Sequence, residues 1–279
     1  MKFDLHCHSS ASDGTLAPAE LVMRAHRNGV TALALTDHDV THGTSEAVAA
    51  AQGLDLRIIP GVEISVSWYE KTLHIVGLGL DVNETALVDG LAGVRASRVR
   101  RGELIALELS RVGIHGSLQA ALSFAGDPQT LSRTHFARFL VDKGYARDVK
   151  SVFHQYLGEG KPGFVPHRWA TLGDAVSWIK ASGGVAVIAH PGRYGLSQDK
   201  GDLLIREFKE LGGEALEVLT GSHTAEQSRR YAQVARKFDL AASCGSDFHS
   251  PGESRVDLGG LPPLPPGLRP VWDLLASPA

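Results

Sequence analysis

The stretch FDLHCHSSASDG, residues 3–14, decides how the rest of the chain is read. A short apolar run carries two histidines two residues apart, and in a β-strand side chains at that spacing point the same way. His6 and His8 therefore aim together while Leu5 and Cys7 face the other side, and Asp13 follows in a polar turn. Two imidazoles converging at a strand end, with a carboxylate just beyond, are the beginning of a metal site. A pair of hydrogen-bonded core histidines is the alternative, and these twelve residues favour neither.

Around this stretch the chain repeats strand, turn and helix. TALALT (31–36) is a strand running into Asp37-His38-Asp39, and LRIIPGVEISV (56–66) and TLHIVGLGL (72–80) are further strands. GVAVIAH (184–190), ALEVLT (215–220) and LAASCGSDFH (240–249) complete the series. Helices fall between them: Pro18 to Asn28, closed by Gly29, then 44–52, 201–211 and 224–237. T-x-x-D at Thr171 opens another, which ends at Gly183-Gly184. Short apolar strands alternating with helices predict an α/β fold with a parallel sheet, and this many repeats predict a closed or nearly closed barrel.

Residues 84–165 break the rhythm. They carry no strand pattern, only a long Arg- and Leu-rich helix over 84–112 and shorter helical pieces at 116–124, 132–144 and 149–157. The expected organisation is a barrel from residues 1–83 and 166–279, with residues 84–165 as a helical insertion capping one mouth. The Pro-rich end, GGLPPLPPGLRP (259–270), is expected to run extended over the surface.

Composition narrows the function classes. A chain of 279 residues that is 43% hydrophobic and 21% charged has material for a full core. The formal net charge of −3 gives no general pull on a polyanion, and no large basic groove for duplex DNA is legible. No apolar run approaches a membrane span, so no membrane partner is expected. Cys7 and Cys244 cannot make a disulfide framework, and the expected home is the reducing cytoplasm.

The positions of the histidines settle the opening question. His6 and His8 lie at the end of the first strand and His38 at the end of the second. Glu63 and His74 lie in the third and fourth, His190 ends AVIAH, and Asp247 and His249 follow the last strand. The carboxyl ends of parallel barrel strands share one mouth. Scattered core histidines would not concentrate there, so these imidazoles and carboxylates read as a multinuclear metal site.

In that order and spacing, HCHSSASDGT, LTDHDVTHG, PGVEIS, LHIVGLG, AHPGR and GSDFH resemble the PHP (polymerase and histidinol phosphatase) superfamily over nearly the whole chain. The resemblance implies a distorted (β/α)7, TIM-like PHP barrel with the helical insertion over the active-site mouth, and three divalent metal ions. One ion would take His6, His8, Glu63 and Asp247. A second would share Glu63 and take His74 and His190, and the third would take Asp13, His38 and His249. SVSWYEKTLHIVGLGLD, LSRTHFARFLVDKG, GKPGFVPHRWATL and GSHT are closest to the TrpH-type branch, which includes 3′,5′-nucleotide bisphosphate phosphatases and a 5′→3′ exoribonuclease. That likeness implies hydrolysis of the 3′ phosphate of 3′,5′-bisphosphonucleosides (pAp to AMP plus phosphate) and of short 5′-phosphorylated RNA. A small nucleotide and short RNA are then the expected partners.

Mixed imidazole and carboxylate donors suit Mn²⁺, with Fe²⁺ or Zn²⁺ as alternatives. The chemistry expected of them is attack on phosphorus by a cation-activated hydroxide, with Asp13, His38, Asp247 and His223 as the catalytic group. Substrate anchors must come from elsewhere: Arg133 and His135 in SRTH, Arg101 on the long helix, His167 in GKPGFVPHRW, and Arg193 just after His190. Asp37 and Asp39 either orient ligands or cap a turn, and Glu217 lines the barrel mouth. His26, His115 and His154 read as structural or surface residues. Two further readings remain: a phosphatase of another small metabolite on the same site, and a hydrolase of C–N or C–O bonds. The latter lacks a lysine at a suitable strand end.

Overall fold

A computed structural model describes residues 1–275. By its internal contacts the chain divides into two compact units, one formed by residues 1–91 with residue 169 onward, the other by residues 92–168. No helix among the described residues is long and apolar enough to cross a membrane.

The first unit is a nearly closed barrel. Its elements in chain order are β1 (Phe3–Asp4), α1 (Pro18–Arg27), β2 (Ala32–Leu35), α2 (Thr44–Ala50), β3 (Arg57–Trp68) and β4 (Lys71–Leu78). The helix α3 (Thr85–Ala96) leads into the second unit. There α4 (Arg98–Arg111), α5 (Ser117–Ala125), α6 (Arg133–Asp142), α7 (Val149–Val152) and a π-helical turn, Phe153–Leu157, pack together. The barrel resumes with β5 (Ala170–Thr171), α8 (Leu172–Ala181), β6 (Val185–Ile188), α9 (Gln198–Glu210), β7 (Ala215–Thr220), α10 (Ala225–Lys237) and β8 (Ala241–Gly245).

The sheet runs β1-β2-β3-β4-β6-β7-β8, with the short β5 beside β3. Most neighbours are parallel, as the strand–helix rhythm predicts, but β4 is antiparallel to both β3 and β6. The cause is local. Only Tyr69 and Glu70 separate β3 from β4, and a two-residue connection can join only antiparallel strands. The barrel closes without a regular ladder. Leu5 N–H donates to Cys244 O at 2.9 Å, Asp247 N–H to His6 O at 2.8 Å and His8 N–H to Phe248 O at 2.8 Å. Regular pairing of the first strand thus stops at Asp4, and these bonds carry the following residues alongside the GSDFH loop.

Side-chain alternation builds the layers. Ala32 and Ala34 of β2 join Leu5, Val76, Leu78 and Val187 in one cluster. Leu33 and Leu35 of the same strand pack with Leu21, Val22 and Ala25 of α1 in another. A third cluster joins Ile75, Ile188 and Leu216 to Val176, Ile179, Phe208 and Ala232 of α8, α9 and α10. The second unit has its own core of Ile105, Leu109, Phe136, Phe139 and Leu140, among others.

Caps end the helices where the sequence signals them. Thr171 Oγ1 accepts Asp174 N–H at 3.1 Å while Asp174 Oδ2 accepts Thr171 N–H at 3.1 Å, the reciprocal box expected from T-x-x-D. The single helix expected over 84–112 is two helices, α3 and α4, broken at Ser97. There Ser97 Oγ donates to Val94 O at 2.9 Å, a side-chain bond that competes with the helix ladder.

Candidate metal centre

Strands and loops at the mouth of the barrel carry the candidate ligands, and buried carboxylates fasten several of those loops. Asp37 accepts Ser9 N–H at 2.8 Å, Ser9 Oγ–H at 2.7 Å and Ser12 Oγ–H at 2.5 Å, which fixes the turn between His8 and Asp13. Asp39 takes Ser65 N–H at 2.7 Å and ties the loop after β2 to β3 just beyond Glu63. Asp4 accepts Ser246 N–H at 2.8 Å, beside Asp247. Glycine is required where backbones meet: a Cβ on Gly245 would lie 2.2 Å from His6 Cβ, and one on Gly14 2.2 Å from His8 O. Asp39, His190 and Asp247 all have positive φ, strain of the kind that collects at functional sites.

The donors converge in four overlapping groups: His8, Asp13, His38 and His249; His6, Glu63 and His190; His6, His8 and Asp247; and His38, Glu63 and His74. Within each group one ligand atom per residue lies within 4.8 Å of the others. All nine residues expected from the sequence are therefore brought together. His8 falls with Asp13, His38 and His249 as well as with His6 and Asp247. His74 arrives by a route the parallel reading did not foresee. It sits opposite Ser65 near the start of the antiparallel β4, the end of that strand that lies at the same mouth.

Two observations test whether these residues fit cations. First, donors face donors: His6 Nε2 lies 3.2 Å from His8 Nε2, 3.3 Å from Glu63 Oε1 and 3.6 Å from Asp247 Oδ1. His38 Nδ1 is 2.9 Å from Glu63 Oε2, yet neither atom has a well-directed hydrogen bond among the described residues, and His8 Nδ1 and His190 Nδ1 are likewise orphaned. Buried polar atoms left this way are costly unless something positive lies between them. Second, protonation divides the group. Burial works to raise Glu63 and Asp247, but surrounding imidazoles hold both carboxylates well below their ordinary range. Burial draws His190 down to about 3, helped by Arg193, and His249 down to about 4, helped by His8, so both rings are neutral and able to ligate. Burial also opposes charge on His8, but bonds to Asp247 and Glu63 outweigh it and lift the ring to about 10. His6 is raised in the same way, by Glu217, Glu63 and Asp247. The cluster demands positive charge, and two imidazolium protons supply it where a cation would. The residues fit divalent cations that prefer nitrogen and oxygen.

The expected substrate contacts separate. Arg193 is half exposed and donates to Asp247 Oδ2 at 2.9 Å, within the cluster. Arg101 and Arg98, both buried, lie in the second unit with Arg133 and His167. Burial and the neighbouring Arg133 and Arg98 push Arg101 well below its ordinary value. Burial and the same kind of neighbour push His167 down to about 4, so this ring is neutral and meets Ser97 Oγ at 2.8 Å. Arg133 lies over the Phe153 ring at 5.4 Å.

Two of the expected site residues are held by backbone groups. His135 is only 1% exposed, and its Nδ1 accepts Ser132 N–H at 3.1 Å, closing the N-terminal cap of α6. It thereby shapes the segment that carries Arg133. His223, placed in the catalytic group from GSHT, has both ring nitrogens engaged by backbone: Nδ1 meets Val218 O at 3.1 Å and Nε2 accepts Gly192 N–H at 3.1 Å. Its ring stacks on Tyr231, and the bond from Gly192 ties it to the 190–193 turn. Tyr194 was missed altogether. Its hydroxyl donates to Ala189 O at 2.7 Å and accepts His74 N–H at 2.9 Å, joining two ligand-bearing strands; its place next to Arg193 was the only signal.

Comparison with known proteins agrees with this geometry. The PHP domain profile matches residues 4–224. A 3′,5′-nucleoside bisphosphate phosphatase of Chromobacterium violaceum is 48% identical over 96% of this chain and 94% of its own length. A 5′-3′ exoribonuclease of Escherichia coli is 42% identical over 99% of this chain and 94% of its own. The solved structure of an amidohydrolase from Chromobacterium violaceum, with sulfate bound and no metal, matches with a TM-score of 0.95 at 47% identity, covering 98% of this chain and 96% of that one.

Proposed function

Because this chain belongs to the PHP domain family, we propose that it is a metal-dependent phosphoesterase that removes the 3′ phosphate from nucleotides also carrying a 5′ phosphate. The same cleavage releases 5′-mononucleotides stepwise from short 5′-phosphorylated RNA, since the bond broken is the same P–O3′ bond. The observation that carries this reading is the buried cluster in which imidazole nitrogens and carboxylate oxygens converge, several of them with no well-directed hydrogen bond among the described residues. The names of the relatives at 48% and 42% identity supply the substrate class.

We assign three divalent cations, Mn²⁺ favoured, to His6, His8, Asp13, His38, Glu63, His74, His190, Asp247 and His249. Such cations, when bound, make water nucleophilic near neutral pH and offset charge on phosphoryl and leaving oxygens. The chain's own residues do the rest. Arg193, half exposed beside Asp247, offers N–H donors to a phosphoryl oxygen. We also assign substrate binding to Arg101, Arg133, His135 and His167, all of the second unit. Bidentate guanidinium donors suit a terminal phosphate better than lysines would.

Substituting Arg133→Met, which keeps an apolar stem over Phe153, tests this. Loss of one charge-assisted contact, about 1.5–3 kcal/mol, corresponds to a rise in KM of roughly 10- to 150-fold for a 3′,5′-bisphosphonucleoside. A KM unchanged by the substitution would overturn the assignment.

A further inference from the structure

Glu217 is a lone acid in the apolar strand ALEVLT. In β7 it stands opposite Ser243, but Leu219 already stands opposite Cys244, so the ladder to β8 slips between them. Bulges of this kind bend a strand and re-aim a side chain, and they recur beside functional sites. Here the slip accompanies a carboxylate that is 1% exposed. A buried charge is tolerated only where it is well bonded.

Its two oxygens take two different donors. Oε1 meets His6 Nδ1 at 2.8 Å, and Oε2 accepts the backbone N–H of His190 at 2.5 Å. Both partners belong to the donor cluster. A carboxylate on Nδ1 requires that nitrogen to carry a proton, which leaves Nε2 as the atom His6 can offer to a cation. Nε2 is also the atom aimed at His8, Glu63 and Asp247. His190 has φ +26°, a region that costs an L-residue about 1–3 kcal/mol unless its surroundings hold it there. The bond to its N–H supplies that hold, and His190 Nε2 then lies 2.9 Å from Glu63 Oε1.

We propose that Glu217 is a positioning residue of the metal centre, one carboxylate fixing the ring of His6 and the backbone turn of His190 so that both present Nε2. The proposal rests on the metal reading above. Glu217 touches neither substrate nor cation; it acts through two ligands. Two acceptors are essential because both partners are N–H donors. In Glu217→Gln one oxygen becomes an NH₂. Turned toward His6, that group forces the ring proton onto Nε2, the ligating atom. Turned toward His190, it opposes a buried N–H. Glu217→Asp keeps both acceptors but falls one methylene short.

The experiment strips the full-length chain with chelator and titrates it with Mn²⁺, beside E217Q and E217D, and records the visible spectrum of each protein loaded with Co²⁺. The unaltered chain should bind Mn²⁺. E217Q should bind 10- to 100-fold more weakly, with Co²⁺ bands changed by the altered imidazole set, and E217D should recover part of both. If E217Q merely melts at lower temperature, while its affinity for Mn²⁺ and its Co²⁺ bands match those of the unaltered chain, the role is structural and the proposal fails. If the unaltered chain takes up no Mn²⁺, the metal reading itself falls and this proposal with it.

Discussion

Replacing Asp37 with alanine should destabilise the barrel unit and loosen the centre together, by an amount the geometry sets. The carboxylate gathers Ser9 N–H, Ser9 Oγ–H and Ser12 Oγ–H at 2.8, 2.7 and 2.5 Å, all buried. In Asp37→Ala the backbone N–H of Ser9 cannot turn away, and an orphaned buried donor costs about 1–3 kcal/mol. The two hydroxyls can rotate, so each loses nearer 1 kcal/mol. Against this stands the cost of burying the carboxylate, which burial shows by raising its pKa and which the substitution relieves. The balance is a loss of about 3 kcal/mol, or roughly 6–12 °C in Tm for a unit of this size. Asp37→Asn is the control. Its Oδ1 still accepts Ser9 N–H and Ser12 Oγ–H, and its NH₂ can donate to Ser9 Oγ, so it should stay within about 1 kcal/mol of the unaltered chain. Thermal melts of the chelator-treated proteins measure both. A melting point for Asp37→Ala within 2 °C of the unaltered chain, or an equal loss in Asp37→Asn, would refute the reasoning.

Because His6 and His8 are protonated where cations would sit, with His8 at about 10, cation uptake at pH 7 should release protons, and Mn²⁺ affinity should rise from pH 6.5 to 8.5. Calorimetry in two buffers of different ionisation enthalpy counts those protons, and a count of zero contradicts the assignment. In the cation-free chain, His190 and His249 stay neutral down to about 3 and 4, whereas unfolded histidines take up protons near 6.5. Stability contributed by these two is therefore full above pH 6.5 and declines as pH falls toward 4, which urea unfolding at a series of pH values will show. Gly245→Ala places a methyl 2.2 Å from His6 Cβ, and the required backbone shift should cost about 1–3 kcal/mol and weaken Mn²⁺ binding; unchanged binding would mean the closure of the barrel is softer than it looks.

What the sequence reveals of this site follows physical rules that act over short range. His6, His8 and Asp13 are legible from FDLHCHSSASDG because strand parity and turn composition are local. His74 is legible as a donor but not in its placement, because side-chain alternation is the same in either strand direction and only the two-residue connection at Tyr69-Glu70 reveals the reversal. The surroundings of His223 and His135 are hidden for a common reason. Backbone groups bond their rings, Gly192 N–H and Val218 O for His223 and Ser132 N–H on Nδ1 for His135, and nothing in GSHT or SRTH announces those partners. Glu217 needs the slipped register of β7 on β8, a tertiary feature, before its aim toward His6 is visible. The break at Ser97 is hidden because apolar residues continue on both sides of it.

The most direct test compares phosphate release by the Mn²⁺-loaded chain from pAp, 3′-AMP, 5′-AMP and a sugar phosphate at equal concentration. Preferential hydrolysis of pAp to 5′-AMP, abolished by chelator, is the expected result, with 3′-AMP slower for want of its second phosphate and 5′-AMP untouched. Similar rates on all four substrates, or none on pAp, would contradict a 3′-phosphoesterase that recognises a 5′ phosphate and favour a phosphatase of another small metabolite.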